Sequence, residues 1–248
     1  MVSSLRCPEG RPLRAAVVGA SGGIGSQLVS VLAENSEVGK VFAFSRSAHH
    51  EAPGVSMGAI DVLDETSIAA AATAASADGP LDLVLVATGL LHDKELRPEK
   101  SMRELEAEKM ARVFAVNTIA PAMVAKHFLP LLRKRGKTVF GALSARVGSI
   151  GDNRLGGWTS YRASKAALNM TLKTLAIEHA RRFPQSVVAA LHPGTVDTGL
   201  SAPFQKRVPQ SQLFTGRYAA EQLLSVVDAL QASDSGGFFA WDGSRIDY

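Results

Sequence analysis

Val17-Val18-Gly19-Ala20-Ser21-Gly22-Gly23-Ile24-Gly25-Ser26-Gln27-Leu28 is the stretch from which the rest of the chain is most readily understood. An apolar run, Ala15 to Val18, breaks into glycines, after which Ile24, Leu28, Val31 and Leu32 recur at helical spacing. The pattern is strand, tight turn, amphipathic helix. Glycines let a backbone approach a phosphate closely, and a helix N-terminus offers free N–H groups and the positive end of its dipole. The spacing Gly19-x-x-x-Gly23-x-Gly25 differs from the commonest dinucleotide fingerprint, Gly-x-Gly-x-x-Gly. Taken alone, the turn reads equally well as a merely tight strand-to-helix connection.

Outward from this turn, short apolar runs alternate with helix-period segments from residue 13 to the end. Strands are expected at Ala15 to Val18, Val41 to Phe44, Met57 to Ile60, Leu83 to Ala87, Thr138 to Leu143, Val187 to Leu191 and Phe238 to Ala240. Asp64 reads as the N-cap of an alanine-rich helix through Ala75, and Tyr161 to Phe183 as a long helix ending before Pro184. This alternation predicts an α/β fold: a single Rossmann-type, doubly wound parallel sheet of about seven strands with helices on both faces. Residues 13–248 form that one domain, and residues 1–12 a flexible N-terminal arm.

Composition narrows the function classes. The 248 residues are 46% hydrophobic and 20% charged, as in globular domains. Cys7 is the only cysteine, so no disulfide forms within the chain and nothing points to an oxidising compartment. Met1 to Pro8 lack the apolar stretch of a secretory signal, and no run approaches the ~18 apolar residues of a membrane helix. A cytoplasmic protein without a membrane span is expected. The net charge is only +4 and aromatics are 6%, whereas a nucleic-acid site interleaves cations with aromatics, so no nucleic-acid partner is expected. The densest basic run, Arg133-Lys134-Arg135 with Lys137, reads as solvent-facing. His49 and His50 are adjacent in a loop, and His92, His127, His179 and His192 make no ligand motif, so no metal site is expected.

Two further features carry chemistry. The second strand ends Phe44-Ser45-Arg46, where an acid would grip the ribose 2′-hydroxyl of NAD and a cation accommodates the 2′-phosphate of NADP. A solvated strand end is the competing explanation for Arg46. Tyr161 and Lys165 stand four apart in a helical segment and share a face. An ammonium ~4 Å from a phenol at an effective dielectric of ~20 favours the phenolate by roughly 4 kcal/mol, about three pKa units. A Tyr-x-x-x-Lys arises by chance in about one chain in five. Its weight comes from the glycine turn upstream.

Together these segments resemble the short-chain dehydrogenase/reductase family over residues 13 to 248: Gly19 to Gly25 is similar to its cofactor turn, and Tyr161-Arg162-Ala163-Ser164-Lys165 to its active-site signature. Asp61-Val62 is similar to its adenine contact, Phe114 to Thr118 to the segment with its helical asparagine, here Asn117, and Pro193 to Thr198 to its nicotinamide-side loop. The resemblance implies NADP held by Gly19, Ser21, Gly23, Ile24, Gly25, Arg46, Asp61, Val62, Ala87, Gly89, Lys165, Pro193, Gly194, Val196 and Thr198. It implies that Tyr161 is the general acid acting on a small carbonyl or alcohol substrate. Lys165 lowers its pKa and holds the nicotinamide ribose, a strand-end serine binds the carbonyl oxygen, and Asn117 orders a water near Lys165. It also implies a homodimer or homotetramer built through the helices bearing Asn117 and Tyr161. Gly148 to Asn153, Gly156-Gly157-Trp158 and Phe239 to Gly243 are more narrowly similar to the C-factor/sniffer-type carbonyl reductase branch.

The chain departs from that pattern at three places. Val18 replaces a threonine before the first glycine, and Val86-Ala87-Thr88-Gly89 replaces Asn-Asn-Ala-Gly. The fifth strand closes on Ser144-Ala145 where the family has Ser-Ser, so the substrate-facing position falls on Ala145, and a shift of one residue reverses the face. Ser144 brought in by a bulge is the favoured solution; Ser149 is the runner-up, and Tyr161 acting without a serine the third. Trp158 and Arg154 precede Tyr161, where they would wall the substrate cleft, Trp158 favouring an apolar substrate and Arg154 an anionic one; packing and solvation are the competing readings. Thr198 to Thr215 reads as a mobile lid. Two rival functions share the sheet. A redox sensor that binds NADP without turnover fits the missing asparagines, and an S-adenosylmethionine methyltransferase leaves the Tyr161 and Lys165 pair and Arg46 unexplained.

Overall fold

The computed structural model describes residues 10–47, 53–207 and 209–248. Leu13–Val18 forms β1, nearly all of it buried, as a central parallel strand covered on both faces must be. α1 (Gly23–Ala33), β2 (Val38–Ser45), β3 (Val55–Ala59), α2 (Glu65–Ser76) and β4 (Leu83–Val86) follow. α3 (Ala107–Phe114) runs through a π-helical turn, Ala115–Ile119, into α4 (Ala120–Phe128). After β5 (Thr138–Leu143), α5 (Thr159–Ala180) and β6 (Ser186–His192) comes a small ribbon of β7 (Thr195–Val196) and β8 (Leu213–Phe214). α6 (Gly216–Ala229) and β9 (Phe238–Ala240) end the fold.

The main sheet has seven strands, in the order β3-β2-β1-β4-β5-β6-β9, all parallel. The expected doubly wound sheet is therefore the fold. Alternation along the strands divides the core into two layers. Val17, Val41, Leu85 and Leu191 pack with Leu28, Leu32, Leu223 and Val227 of α1 and α6. Val18, Phe44, Phe140 and Val188 pack with Ile68, Phe128 and Leu172 of α2, α4 and α5. Ala71, Ala72 and Ala75 are buried on α2, where small side chains let the helix sit close. Asp64 caps that helix as expected, accepting from Thr66 N at 2.9 Å.

The differences are local. α5 stops at Ala180, short of the expected Phe183, and Arg182 N and Phe183 N both turn back onto His179 O. Pro184 disfavours helical geometry at Phe183, so the ladder closes before it. The segment Thr198 to Thr215, expected as a lid, contains two 3-10 turns, Ala202–Arg207 and Gln210–Gln212, and the strand β8. The basic run is not simply solvated, since Arg133 pairs with Asp82 and Lys137 donates to Asp228 O.

Of the expected arm, residues 1–9 lie outside the described residues, as do His49 and His50. Arg11 is tied down: its guanidinium meets Asp82 at 2.7 and 3.0 Å. Asp82 is buried at the foot of β4 and also accepts from Arg133 Nε and Arg14 N, each at 3.0 Å. Burial opposes ionisation of this carboxyl, but the bonds from Arg11, Arg14 N and Arg133 outweigh it and hold the pKa below the usual carboxylate range. Removing one partner of a buried pair costs 3–5 kcal/mol; with both arginines partly exposed, about 2 kcal/mol is expected for Asp82→Asn. At this chain length that is a fall of roughly 4–8 °C in Tm by circular dichroism at pH 7. Because the folded pKa is depressed, the stabilisation is lost as pH falls, so the gap between the two proteins should close below pH ~4. A Tm unchanged at pH 7 would remove Asp82 from the account of stability.

Candidate active site

The strand order reverses between β1 and β4, and the crevice outside their carboxyl ends is where ligands of such sheets bind. The glycine turn fills it. Gly19 has φ +91°, and Gly19 N and Ala20 N both donate to Phe44 O at 2.9 Å, tying the turn to the end of β2. Exposed Arg46 stands two residues beyond that carbonyl. A Cβ on Gly25 would lie 2.1 Å from Gly19 O, so α1 can start this close only with glycine there. The N-terminus of α1 has no side-chain cap and no acid in its first turn, and Ser21, Gly22 and Gly23 are exposed. Its N–H groups are thus available to an anion, and the residues present fit a dinucleotide pyrophosphate.

The other expected cofactor residues line the same edge. Ile24, Pro193, Gly194, Val196 and Thr198 join in walling a cavity of about 530 Å³, with the Thr198 side chain closed over Gly23. Ala87 N continues the ladder onto Val18 O at 2.7 Å. Gly89 lies beside Asn117 and Lys165: a Cβ there would be 3.8 Å from Asn117 Oδ1 and 3.9 Å from Lys165 Nζ. Asp61, past β3, accepts from Leu63 N at 2.9 Å, and Val62 packs on the core. Arg46, Asp61 and Val62 are not part of the cavity wall.

Tyr161 and Lys165 both lie in the buried first turns of α5, with Lys165 Nζ 5.9 Å from the Tyr161 ring centre. Lys165 Nζ donates to Leu143 O at 2.8 Å. The spacing of Tyr161 and Lys165 alone predicts a phenol eased below its usual value by the ammonium. Here the balance is the reverse: burial pushes the Tyr161 phenol up to about 12 and the Lys165 ammonium down to about 8. Desolvation disfavours both charges, and it outweighs an ammonium bound to a carbonyl. Asn117 sits fully buried in the π-helical turn, giving Nδ2 to Leu90 O at 2.8 Å and accepting from Leu90 N at 2.7 Å. Its side chain therefore braces the segment after β4.

Ser144 reaches the cavity without a bulge. The β5 ladder runs in register from Thr138 to Leu143 and continues through Ser144 N to Leu191 O at 2.8 Å. Phe140 and Ala142 face the α5 layer, and by parity so does Ser144, whose Oγ donates to Asn169 Oδ1 on α5 at 2.7 Å. Ser144, Ala145 and Tyr161 line one cavity. Ser149 is buried, accepts from Asp152 N at 3.1 Å within the next turn, and is not part of that wall. Trp158 does wall the cavity, 4.8 Å from Phe204 and 6.4 Å from Tyr161 between ring centres.

The structure adds residues with no signal in the sequence. Glu99 is buried against the start of α5, accepting from Ser160 N at 3.2 Å and from Ser160 Oγ, while its backbone oxygen takes Trp158 N at 2.6 Å. His92 Nε2 lies 3.0 Å from Gly199 O and its ring 5.7 Å from Phe204, tying down the segment over the cavity. His192 also lines the cavity, and burial, then the nearby Arg146, push it down to about 4, so it is neutral at physiological pH.

The family model for short chain dehydrogenases matches residues 14–209. The 1-hydroxy-2-glutathionyl-2-methyl-3-butene dehydrogenase of Rhodococcus sp. strain AD45 is 31% identical over 94% of this chain and 98% of its own. C-signal of Myxococcus xanthus is 32% identical over 59% of this chain and 82% of its own. The NADPH-bound carbonyl reductase from chicken fatty liver has a TM-score of 0.82 at 27% identity, covering 99% of this chain and 100% of its own. Among the described residues no helix is long and apolar enough to cross a membrane. With the family match running from β1 past β7, the chain belongs to the short chain dehydrogenase family and is an oxidoreductase that works with a nicotinamide cofactor on a small molecule.

Proposed function

We propose that this chain is an NADP-dependent carbonyl reductase in which Tyr161 gives the proton. The observation that carries the reading is a buried, protonated phenol on the wall of a cavity that reaches Ile24 in the uncapped first turn of α1, with a buried ammonium beside that phenol. Gly19, Ser21, Gly23 and Gly25 would offer the pyrophosphate their backbone, Arg46 the 2′-phosphate its guanidinium, and Asp61 and Val62 the adenine an edge. Ala87, Gly89, Ile24, Pro193, Gly194, Val196 and Thr198 would frame the nicotinamide end. When bound there, the reduced nicotinamide supplies the hydride.

The protein supplies the proton and its control. A phenol at about 12 keeps its proton throughout the physiological range, which favours reduction of a carbonyl over oxidation of an alcohol. Once the proton is given up, a phenolate remains in a poorly solvated site, and the Lys165 ammonium is the cation placed to stabilise it. Ser144 is the second donor to the carbonyl oxygen, exchanging Asn169 for it. A sensor without turnover would have no use for Tyr161 and Ser144 on one cavity wall with the Lys165 ammonium beside the phenol.

Tyr161→Phe should bind NADPH nearly as well as the parent by calorimetry, while kcat falls by about two orders of magnitude or more. For the parent, kcat/KM should be level through neutral pH and fall above about 8, as Lys165 loses its charge. Turnover retained in the Phe variant rules out the assignment. Beside it, Ser144→Ala should lower kcat and Ser149→Ala should not; the opposite ranking transfers the role to Ser149.

Cofactor choice is tested at Arg46. A charge-assisted contact to the 2′-phosphate is worth roughly 1.5–3 kcal/mol, so NADPH should bind about tenfold to hundredfold more tightly than NADH. Arg46→Ala should erase most of that difference, and equal affinities in the parent protein would show that the choice is made elsewhere or not at all.

A further inference from the structure

We infer that the substrate joins an apolar body to a carboxylate, and that exposed Arg154, which lines the same cavity as Arg146, receives that carboxylate. The inference rests on the proposed reductase reading for the reacting end only. Much of the wall is apolar: Leu91, Val147, Trp158, Leu200 and Phe204 line it together with Tyr161. The charged wall residues are three arginines, Arg146, Arg154 and Arg162, against one acid, Asp152, which leaves an excess of two positive charges. His192, the remaining titratable wall residue apart from Tyr161, adds none at neutral pH.

The three guanidinium groups are occupied differently. Arg162 donates to Gly157 O at 3.0 Å and Val147 O at 3.3 Å, so it is a strut across the loop that builds the mouth. Arg146 meets Asp152 at 3.2 Å, and both side chains are about half exposed. Arg154 is exposed, and among the described residues its one hydrogen bond is to the neighbouring Asn153 O at 3.4 Å and it has no carboxylate partner. A lone surface arginine is ordinarily just solvated. Here, however, the cations come from one short segment, Arg146 to Arg162, and all line the same apolar cavity.

That placement matters physically. A ligand filling the apolar wall excludes water from the mouth and lowers the local dielectric, so an oxyanion there gains more than it would on an open surface. A carboxylate suits a guanidinium because two parallel N–H···O bonds can form, and hydrogen bonds between charged groups are stronger than those between neutral ones. Asp152 works against this, since it neutralises Arg146. Its removal and the removal of Arg154 should therefore act in opposite directions, which a purely structural role for the loop does not predict.

The test compares 4-oxo-4-phenylbutanoate with its methyl ester on the full chain, reading kcat/KM with NADPH and, separately, Kd by calorimetry on the protein loaded with NADP⁺. The carboxylate should be favoured about tenfold in both measurements, less at 0.5 M salt. Arg154→Ala should cut that ratio about fivefold or more, and Asp152→Asn should raise it. Equal constants for acid and ester in the parent protein, or a ratio that neither substitution moves, overturns the inference. If neither compound is reduced yet the acid binds more tightly with the same pattern among variants, the carboxylate site stands and the reductase reading falls.

Discussion

A lysine with only 2% of its surface exposed is the constraint around which this fold is organised. Desolvating an ammonium costs several kcal/mol unless the interior supplies acceptors in fixed places. The acceptor here is Leu143 O, the last carbonyl of β5. To reach it, α5 must lie so close to the turn after β5 that a Cβ on Gly148 would come within 2.7 Å of Lys165 Cβ. The same face of α5 is held from the other side, where Thr118 Oγ1 donates to Ser164 O at 2.7 Å and Asn117 Nδ2 to Ser164 Oγ at 3.1 Å. Strand end, π-helical turn and helix therefore meet at one buried charge, and Tyr161 is carried into position by that meeting.

The burial that fixes the geometry also sets the protonation. Tyr161 and Lys165 are desolvated together, so the phenol holds its proton more firmly and the ammonium less firmly than in water. The two shifts are complementary, because an anion on the phenol would be the counter-ion that the ammonium lacks.

Much of this was legible in the amino-acid sequence, for identifiable reasons. Central parallel strands are continuous apolar runs, and Thr138–Leu143 and Phe238–Ala240 are bounded as the runs suggest. The turn at Gly19 to Gly25 is a local device, and local devices leave local signatures. What was not legible depends on distant partners. Glu99 meets Ser160 across 61 positions, and neither residue advertises the other. The direction of the Tyr161 shift depends on how deeply the pair is buried, which no spacing records. Ser144 is intermediate: its face follows from strand parity, but only once α5 is known to cover that face, and the bulge that sequence reasoning invoked is unnecessary.

The departures from the family pattern become intelligible on the same terms. Asparagines after the fourth strand would brace the sheet there through their amides, and this chain has Val86 and Ala87 instead. Val86 is 1% exposed and Val18, beside it in register, is fully buried, so close packing takes over at the strand end itself. The polar bracing moves one step outward. Asn117 pairs with both backbone groups of Leu90, which satisfies two groups that would otherwise be stranded in a half-buried loop. It can do so because the π-helical turn, Ala115–Ile119, carries it. Thr88 does not join in, since its Oγ1 is buried without a hydrogen-bond partner among the described residues, and the structure offers no physical reason for that hydroxyl. The strand end can thus lose its family asparagines and keep Gly89 against Lys165, because the constraint on that segment comes from the π-helical turn and α5 rather than from its own side chains.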